Sequence, residues 1–479
     1  MWPFARRRSK TGRTPVVVRA RYDAAQTTPD NVRHWANADG LSADAAASPE
    51  VRKTLRNRAR YEAANNSYAK GIILTLANDV IGTGPRLQVL TENQSANRLI
   101  EQEFSRWTAA VGLAEKLRTM RMAKATDGEA FAMLTANPAL PAPVKLDVQL
   151  IEADRVFTPT VKLALENVVD GIEFDQDGNP VLYYVSRQHP GDAGIHVGQF
   201  DRVEAEAMIH WFRPDRPGQH RGVPEITPAL PLFAQLRRYT LAVLGAAETA
   251  ADFAAVLFTD APASGEAQAL EPMDVVELEK RVATVLPDGW KLGQVEAQQP
   301  STSYAEFKRE ILNEIARCLN MPYNIAACNS SGYNYASGRL DHQTYFKSIR
   351  VEQTSCGAVV LDRILDAWLE EAALLPQLAS LAGLGDVPHQ WFWDGHEHVD
   401  PAKEASAQAT RLASHTTTLA AEYARQGKDW ETEVRQRAKE VSLMKELGLT
   451  PAQVMPQQSD DRDADDPERE DMEEDRAAA

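Results

Sequence analysis

Residues 227–255 read TPALPLFAQLRRYTLAVLGAAETAADFAA. Thr227 followed by Pro228 has the form of a helix start: a hydroxyl to cap the first amides, then a proline at the first helical position. Leu232, Phe233, Leu236 and Tyr239 recur at helical spacing, so the first half presents an apolar face. The second half is small-sided, with Gly245-Ala246-Ala247, Ala250-Ala251 and Ala254-Ala255. Such a surface lets another backbone come close. It fits a helix packed tightly against its neighbours or an ordinary alanine-rich buried helix. Arg237, Arg238, Glu248 and Asp252 interrupt the stretch, and the chain lacks the run of about 18 apolar residues that a membrane span needs.

Downstream, Ala255 to about Pro300 reads as strand, proline- and glycine-rich loop, helix (Pro272 to Val285), and a closing strand after Pro287-Asp288-Gly289. Ser301 begins another helix with Tyr304, Phe307, Ile311, Ile315 and Leu319 on one face, ending at Asn320-Met321-Pro322. A small α/β insertion is thus held between two helices. A polar, aromatic loop follows, Asn329-Ser330-Ser331-Gly332-Tyr333-Asn334-Tyr335. After it comes a long helix carrying Leu340, Tyr345, Ile349, Val360, Leu361, Ile364 and Leu365. Two further helices are expected near Pro401 to Gln426 and Asp429 to Leu447.

Upstream, Ser48-Pro49 opens a helical block through Leu55, Ala59, Ala63, Tyr68, Ile72 and Leu76. It stops near Ile81-Gly82-Thr83-Gly84-Pro85. A second helical stretch runs from about Glu92 to Lys124. Beyond Asp127-Gly128 the pattern turns to short strands, 130–135, 146–151, 181–185 and 208–212. Asp175-Gln176-Asp177-Gly178-Asn179-Pro180 reads as a hairpin turn, because the later ligands of a calcium loop are absent. The fold class is α+β.

At 479 residues the chain exceeds one compact core, and 43% hydrophobic residues exclude a wholly disordered polymer. Its 52 basic and 68 acidic residues give a net charge of −16. Seven basic residues and no acid precede Asp23, so residues 1–24 read as a flexible basic arm. From Ser459 eleven acids stand against three arginines, and residues 457–479 read as a disordered acidic tail. An acidic body argues against a broad, non-specific grip on a polyphosphate. Cys318, Cys328 and Cys356 are too few and scattered for a disulfide framework or zinc site, which points to a reducing, intracellular origin. Cys318 is expected in the core and Cys328 in the exposed loop. Val16 to Val18 fall far short of a secretory apolar region, so no membrane or export role is expected.

The one cluster with the look of a metal site is His396-Glu397-His398 with Asp400, and it lacks the HExxH spacing. It supplies the alternative reading, a metal-dependent hydrolase using His396, His398 and Asp400. Gly82-Thr83-Gly84 has no third glycine and no preceding strand, so it reads as a helix stop. Neither a GxxxxGK[ST] phosphate loop nor a GxSxG nucleophile turn is present. No enzyme, catalytic residue, metal or cofactor is predicted. A third reading is a DNA-binding scaffold component gripping through residues 1–22.

An ordered series of segments resembles the lambda-like family of tailed-phage portal proteins. They are Arg58-Ala59-Arg60-Tyr61 with Asn65-Asn66, Asn78 to Gly84, Asp127-Gly128-Glu129-Ala130-Phe131, and Gly171-Ile172-Glu173 through Gly178 to Tyr183-Tyr184-Val185. His210 with Arg221-Gly222-Val223-Pro224, Asn334 to Arg339, Trp391, and Val399-Asp400-Pro401 with Lys403-Glu404 continue it. The family often has serine where Gly338 stands. The resemblance implies a portal fold: a wing (25–226), stem helices (227–254 and 301–320) flanking a small α/β clip (255–300), a tunnel loop and long wing helix (321–370), and a helical crown (371–456). It implies a ring of twelve subunits at a capsid vertex of the virion, assembled in the host cytoplasm. Double-stranded DNA would pass through the ring during packaging and ejection. The implied partners are the terminase large subunit, head–tail connector or head-completion proteins, and major capsid and scaffold proteins. Asn329, Ser330, Ser331, Tyr333, Asn334 and Tyr335 would face DNA, and Glu271, Asp274, Glu277, Lys280, Arg281 and Asp288 of the clip would dock partners.

Overall fold

The computed structural model of the chain describes residues 25, 28–159, 167–192, 199–252, 256–259, 290–293, 303–332, 334–376, 378, 387–395 and 401–449. In chain order, α1 (Ala43–Ala46), α2 (Pro49–Asn65), α3 (Ser67–Ile81), β1 (Arg86–Val89), α4 (Gln94–Val111) and α5 (Leu113–Asp127) come first. Then follow β2 (Glu129–Ala136), β3 (Leu146–Ile151), β4 (Val168–Val169), β5 (Ile172–Phe174), β6 (Pro180–Ser186), β7 (Phe200–Glu204) and β8 (Met208–Phe212). The next elements are α6 (Leu230–Asp252), β9 (Val256–Thr259), β10 (Trp290–Gly293), α7 (Ser303–Arg317), α8 (Tyr323–Ala326), α9 (Tyr335–Cys356) and α10 (Asp362–Ala373). β11 (His389–Phe392), α11 (Pro401–Ala413), α12 (Leu419–Arg425) and α13 (Trp430–Glu446) complete them. The mixed helix and sheet content matches the expected class.

Ser48 caps α2 as read from the sequence, its hydroxyl accepting from the Val51 amide with Pro49 in the first turn. The block expected over 48–81 is, however, two helices. Asn66 sits at φ −120 and ψ 118 and its side-chain oxygen accepts from the Tyr68 and Ala69 amides, so it caps α3 instead of continuing α2. The stretch expected over 92–124 likewise divides at Gly112, which is left-handed at φ 65. The long helix begins at Leu230, after a 3-10 turn over Thr227–Ala229. Thr227 does not cap it, because its hydroxyl donates to the Pro224 carbonyl at 2.6 Å. The helix expected over 401–426 is α11 and α12, separated where His415 is left-handed and Thr418 caps the Ala421 amide.

The turn at 175–180 forms as expected: Asp175 Oδ1 accepts from the Asp177 and Asn179 amides at 2.9 and 2.8 Å, and Gly178 has φ 85. It joins β5 and β6 in a four-stranded antiparallel sheet ordered β4-β5-β6-β7. A second sheet runs β3-β2-β8, and β1 pairs with β11 across 300 residues of chain. Neither β1 nor β11 was legible in the sequence. β9 and β10 pair antiparallel, Val256 opposite Gly293, as the strands expected at either end of the insertion; the helix expected over 272–285 lies outside the described residues.

Strand alternation divides the interior. On β2, Ala130 and Ala132 point into the larger core with Trp107, Trp211, Phe233, Tyr345 and Trp368. Phe131 points the other way, into a smaller core with Ile172, Tyr183, Val185 and Met208. From Tyr345 on, the expected apolar face of α9 and α10 is buried, through a π-helical turn at Gly357–Leu361. Leu340 is not part of it and is 66% exposed.

Candidate functional site

α6 is anchored by Leu230, Phe233 and Leu236, all buried. It then leaves the core: Leu241 and Leu244 are 60% and 55% exposed, on the half of the helix rich in alanine and glycine. At 1.5 Å per residue its 23 residues extend roughly 35 Å. α7 packs beside it. Tyr239 lies 5.6 Å from Tyr304 and 4.9 Å from Phe307 between ring centres, and the Tyr304 hydroxyl donates to Thr240 Oγ1 at 3.4 Å. Of the apolar face expected on α7, Ile315 is buried and Ile311 and Leu319 pack on the core, while Phe307 is 49% exposed. The two helices thus form a pair that carries the β9–β10 ribbon between them in sequence.

α7 ends in a turn where Asn320 is left-handed, and Pro322 precedes the single-turn α8. The loop from Ala327 to Asn334 then closes onto α9. Cys328 and Gly332 take positive φ. The Asn329 amide donates to the Asn324 carbonyl at 3.0 Å, and Asn329 Oδ1 accepts from the Ser331 amide and hydroxyl at 2.9 and 2.6 Å. Asn324 also lies 2.9 Å from His342 Nε2 of α9. Asn329, Ser330, Ser331 and Asn334 are exposed, and residues 327–335 carry no charge. Tyr335 is the first residue of α9, while Tyr333 lies outside the described residues. Gly338 is in the first turn of α9, its amide bonded to the Asn334 carbonyl at 2.9 Å. Among the cysteines, Cys318 is half-buried, Cys328 exposed and Cys356 buried.

Glu271, Asp274, Glu277, Lys280, Arg281 and Asp288 lie outside the described residues, as do His396, His398 and Asp400. Among the described residues, no group of three or more His, Cys, Asp or Glu is placed to hold a metal ion, and no helix is long and apolar enough to cross a membrane.

Arg60, Asp127, Glu129, His210 and Arg221, all within the segments that carry the resemblance, meet Arg52, Arg56, Asp154 and Asp170 in one buried network that sequence reasoning missed. Glu129, at the start of β2, accepts from Arg221 Nε and Nη2 at 2.8 and 2.7 Å and from the Gly222 amide at 3.0 Å. His210 Nε2 stands 3.1 Å from the same carboxylate. Arg56 reaches Asp154 at 2.9 Å, and Arg60 binds Asp127 through Nε at 2.7 Å and Asp154 through Nη1 at 2.8 Å. Arg52 and Arg221 both meet Asp170. Four arginines therefore face four carboxylates. Two glycines permit this approach: a Cβ on Gly128 would strike the Val223 backbone, and one on Gly222 would strike the Gly128 carbonyl.

Burial alone would raise Glu129, but Arg221 and His210 beside it hold the carboxyl well below its usual range. Burial lowers His210, with Arg221 and Arg52 adding to the effect against Glu129, so the ring is neutral and donates. At Asp127 burial wins over Arg60 and the carboxyl is raised. A second buried cluster joins α5 to both neighbours of the site. Arg121 meets Glu225 just before α6 at 2.8 Å, and Lys124 meets Glu352 of α9 at 2.7 Å while lying 4.7 Å over the Trp211 ring. In sequence these residues look like surface charges. Asp-Gly-Glu and Arg-Gly-Val ahead of apolar runs are the one local sign that backbone and charge are packed together there.

The profile of the phage portal protein, lambda family, matches residues 29–353. The probable portal protein of Halomonas phage phiHAP-1 is 27% identical over 428 residues, covering 83% of this chain and 82% of that protein. Portal protein B of Escherichia phage lambda is 22% identical over 483 residues, 88% of this chain and 89% of that one. A chain from the neck of an empty gene transfer agent particle aligns with a TM-score of 0.47 at 15% identity, over 83% of this chain and 98% of that chain.

Proposed function

This chain belongs to the lambda family of phage portal proteins, and from that membership we propose that it assembles as a ring, twelve copies being expected, at one capsid vertex of the virion. Double-stranded DNA passes through the ring during packaging and ejection. The terminase large subunit docks first and head–tail connector proteins afterwards, on the clip at 255–300. Major capsid and scaffold proteins surround the wing at 25–226, and assembly takes place in the host cytoplasm. The stems are residues 227–254 and 301–320, the tunnel loop and long wing helix span 321–370, the crown is 371–456, and residues 1–24 and 457–479 are its basic arm and acidic tail.

The observation that carries this reading is the α6–α7 pair. A helix that leaves its own core with leucines exposed among alanines leaves apolar surface for another copy to cover. The loop at 327–334 supports the DNA-facing role. Its exposed amides and hydroxyls can touch a moving duplex without the phosphate neutralisation that would hold it still. An acidic body has the same effect. Shortening Asn329–Gly338 should leave rings intact, with the same number of copies, and impair genome packaging or retention. Heads filled with a normal genome by that variant would refute the loop assignment.

A further inference from the structure

Among the described residues, Phe392 is the last apolar residue of the chain to be buried. In 402–449 the one buried side chain is Glu422, while Leu419, Val434, Leu443, Leu447 and Leu449 are exposed. Among the described residues, helices α11–α13 therefore share no buried apolar core with the rest of the molecule. They are organised locally instead: Arg411 binds Glu404 and Glu422 at 2.8 and 3.1 Å, Arg425 binds Glu422 at 3.1 Å, and Thr418 and Asp429 cap α12 and α13.

Their attachment is polar. Arg86 of β1 donates to the Gly427 carbonyl at 2.6 Å and meets Asp394 at 3.2 Å, and Gln88 donates to Asp429 Oδ1 at 2.7 Å. The amide and hydroxyl of Thr83 hold Asp394 at 2.5 and 2.9 Å. Gly395 and Gly427 let two backbones touch, since a Cβ on Gly395 would strike Gln426 and one on Gly427 would strike Trp393 and Asp394. Facing the same seam, Glu101 of α4 accepts from the Val89 amide at 2.8 Å, and its carboxyl is raised by burial against that bond, with the like charges of Asp429 and Glu431 adding to the rise. Apolar burial is the dominant stabilising term in packing. Half-exposed ion pairs and hydrogen bonds add little.

We infer that residues 401–449 form a module latched to the body through β1 and the 393–395 segment, which releases and re-docks as a unit while the body stays folded. Hydrogen exchange on the full chain, read by peptide, tests it. Amides of α12 and α13 should exchange faster than those of α9 and α10, and should do so together. Arg86→Ala with Gln88→Ala removes the two side-chain bonds to Gly427 and Asp429 and should speed exchange in 401–449 by about tenfold, leaving α3–α5 unchanged. Equal protection of the two regions, or a variant that speeds both alike, would overturn the inference. The wild-type comparison of the two regions decides the matter if the double variant does not fold.

Discussion

At Glu129 a carboxylate is enclosed in the interior and stays ionised, because Arg221 grips it with two nitrogens and the Gly222 amide adds a third donor. Leaving either partner alone in such a site costs about 3–5 kcal/mol, so neither Glu129 nor Arg221 can be lost singly without destabilising the loop at 221–224 against β2. His210 sets the acid sensitivity of this site. It lies flat between Phe131 and Phe212, 4.2 and 4.4 Å from their ring centres, and is held neutral. The unfolded chain takes up this proton near the ordinary histidine pKa and the folded chain only at lower pH. Stability therefore falls as pH drops below about 6.5, until the lowered folded value is reached. Glu129 works in the same direction further down, its contribution being lost as pH falls through its depressed folded value. The melting temperature should decline between about pH 7 and 5.5, and His210→Gln, which keeps an N–H for Glu129, should flatten that decline. An unchanged slope in the variant would assign the proton uptake elsewhere.

At the scale of elements, the start of α2 was legible because Ser48 caps it directly ahead of a proline. The breaks at Asn66 and Gly112 were not. Apolar spacing runs through both positions, and asparagine or glycine inside a helix costs only about 0.5–1 kcal/mol, so the choice falls to packing against other elements. The small-sided half of α6 was open to two readings from the sequence; just ahead of it Leu241 and Leu244 stand 60% and 55% exposed within a single copy. This yields a prediction at the same scale. Leu241→Asp and Leu244→Asp change exposed positions and should move monomer stability by no more than about 0.5 kcal/mol. They should nevertheless shift the protein from assembled rings to monomers in sedimentation velocity. Rings that persist in the double variant would remove α6 from the subunit interface.

For the whole molecule, the decisive measurement is particle mass and symmetry. Twelve copies of a 52.9 kDa chain with a central channel in averaged electron micrographs is the expected outcome, and a persistent monomer at high concentration would contradict it. The amino-acid sequence by itself determined the mixed helix and strand class, the hairpin at 175–180, the helix pair around an insertion, and the kinship carried by the ordered segments. All of these rest on interactions within a few residues, or on the serial order of side chains. Only the tertiary structure decided that β1 pairs with β11, that Arg52, Arg56, Arg60 and Arg221 meet carboxylates from three other segments, and that α11–α13 rest on a polar seam. Those contacts join residues up to 341 positions apart. A charge bound for the interior is written in the same letters as one bound for water, and what separates them is the partner the fold brings to it.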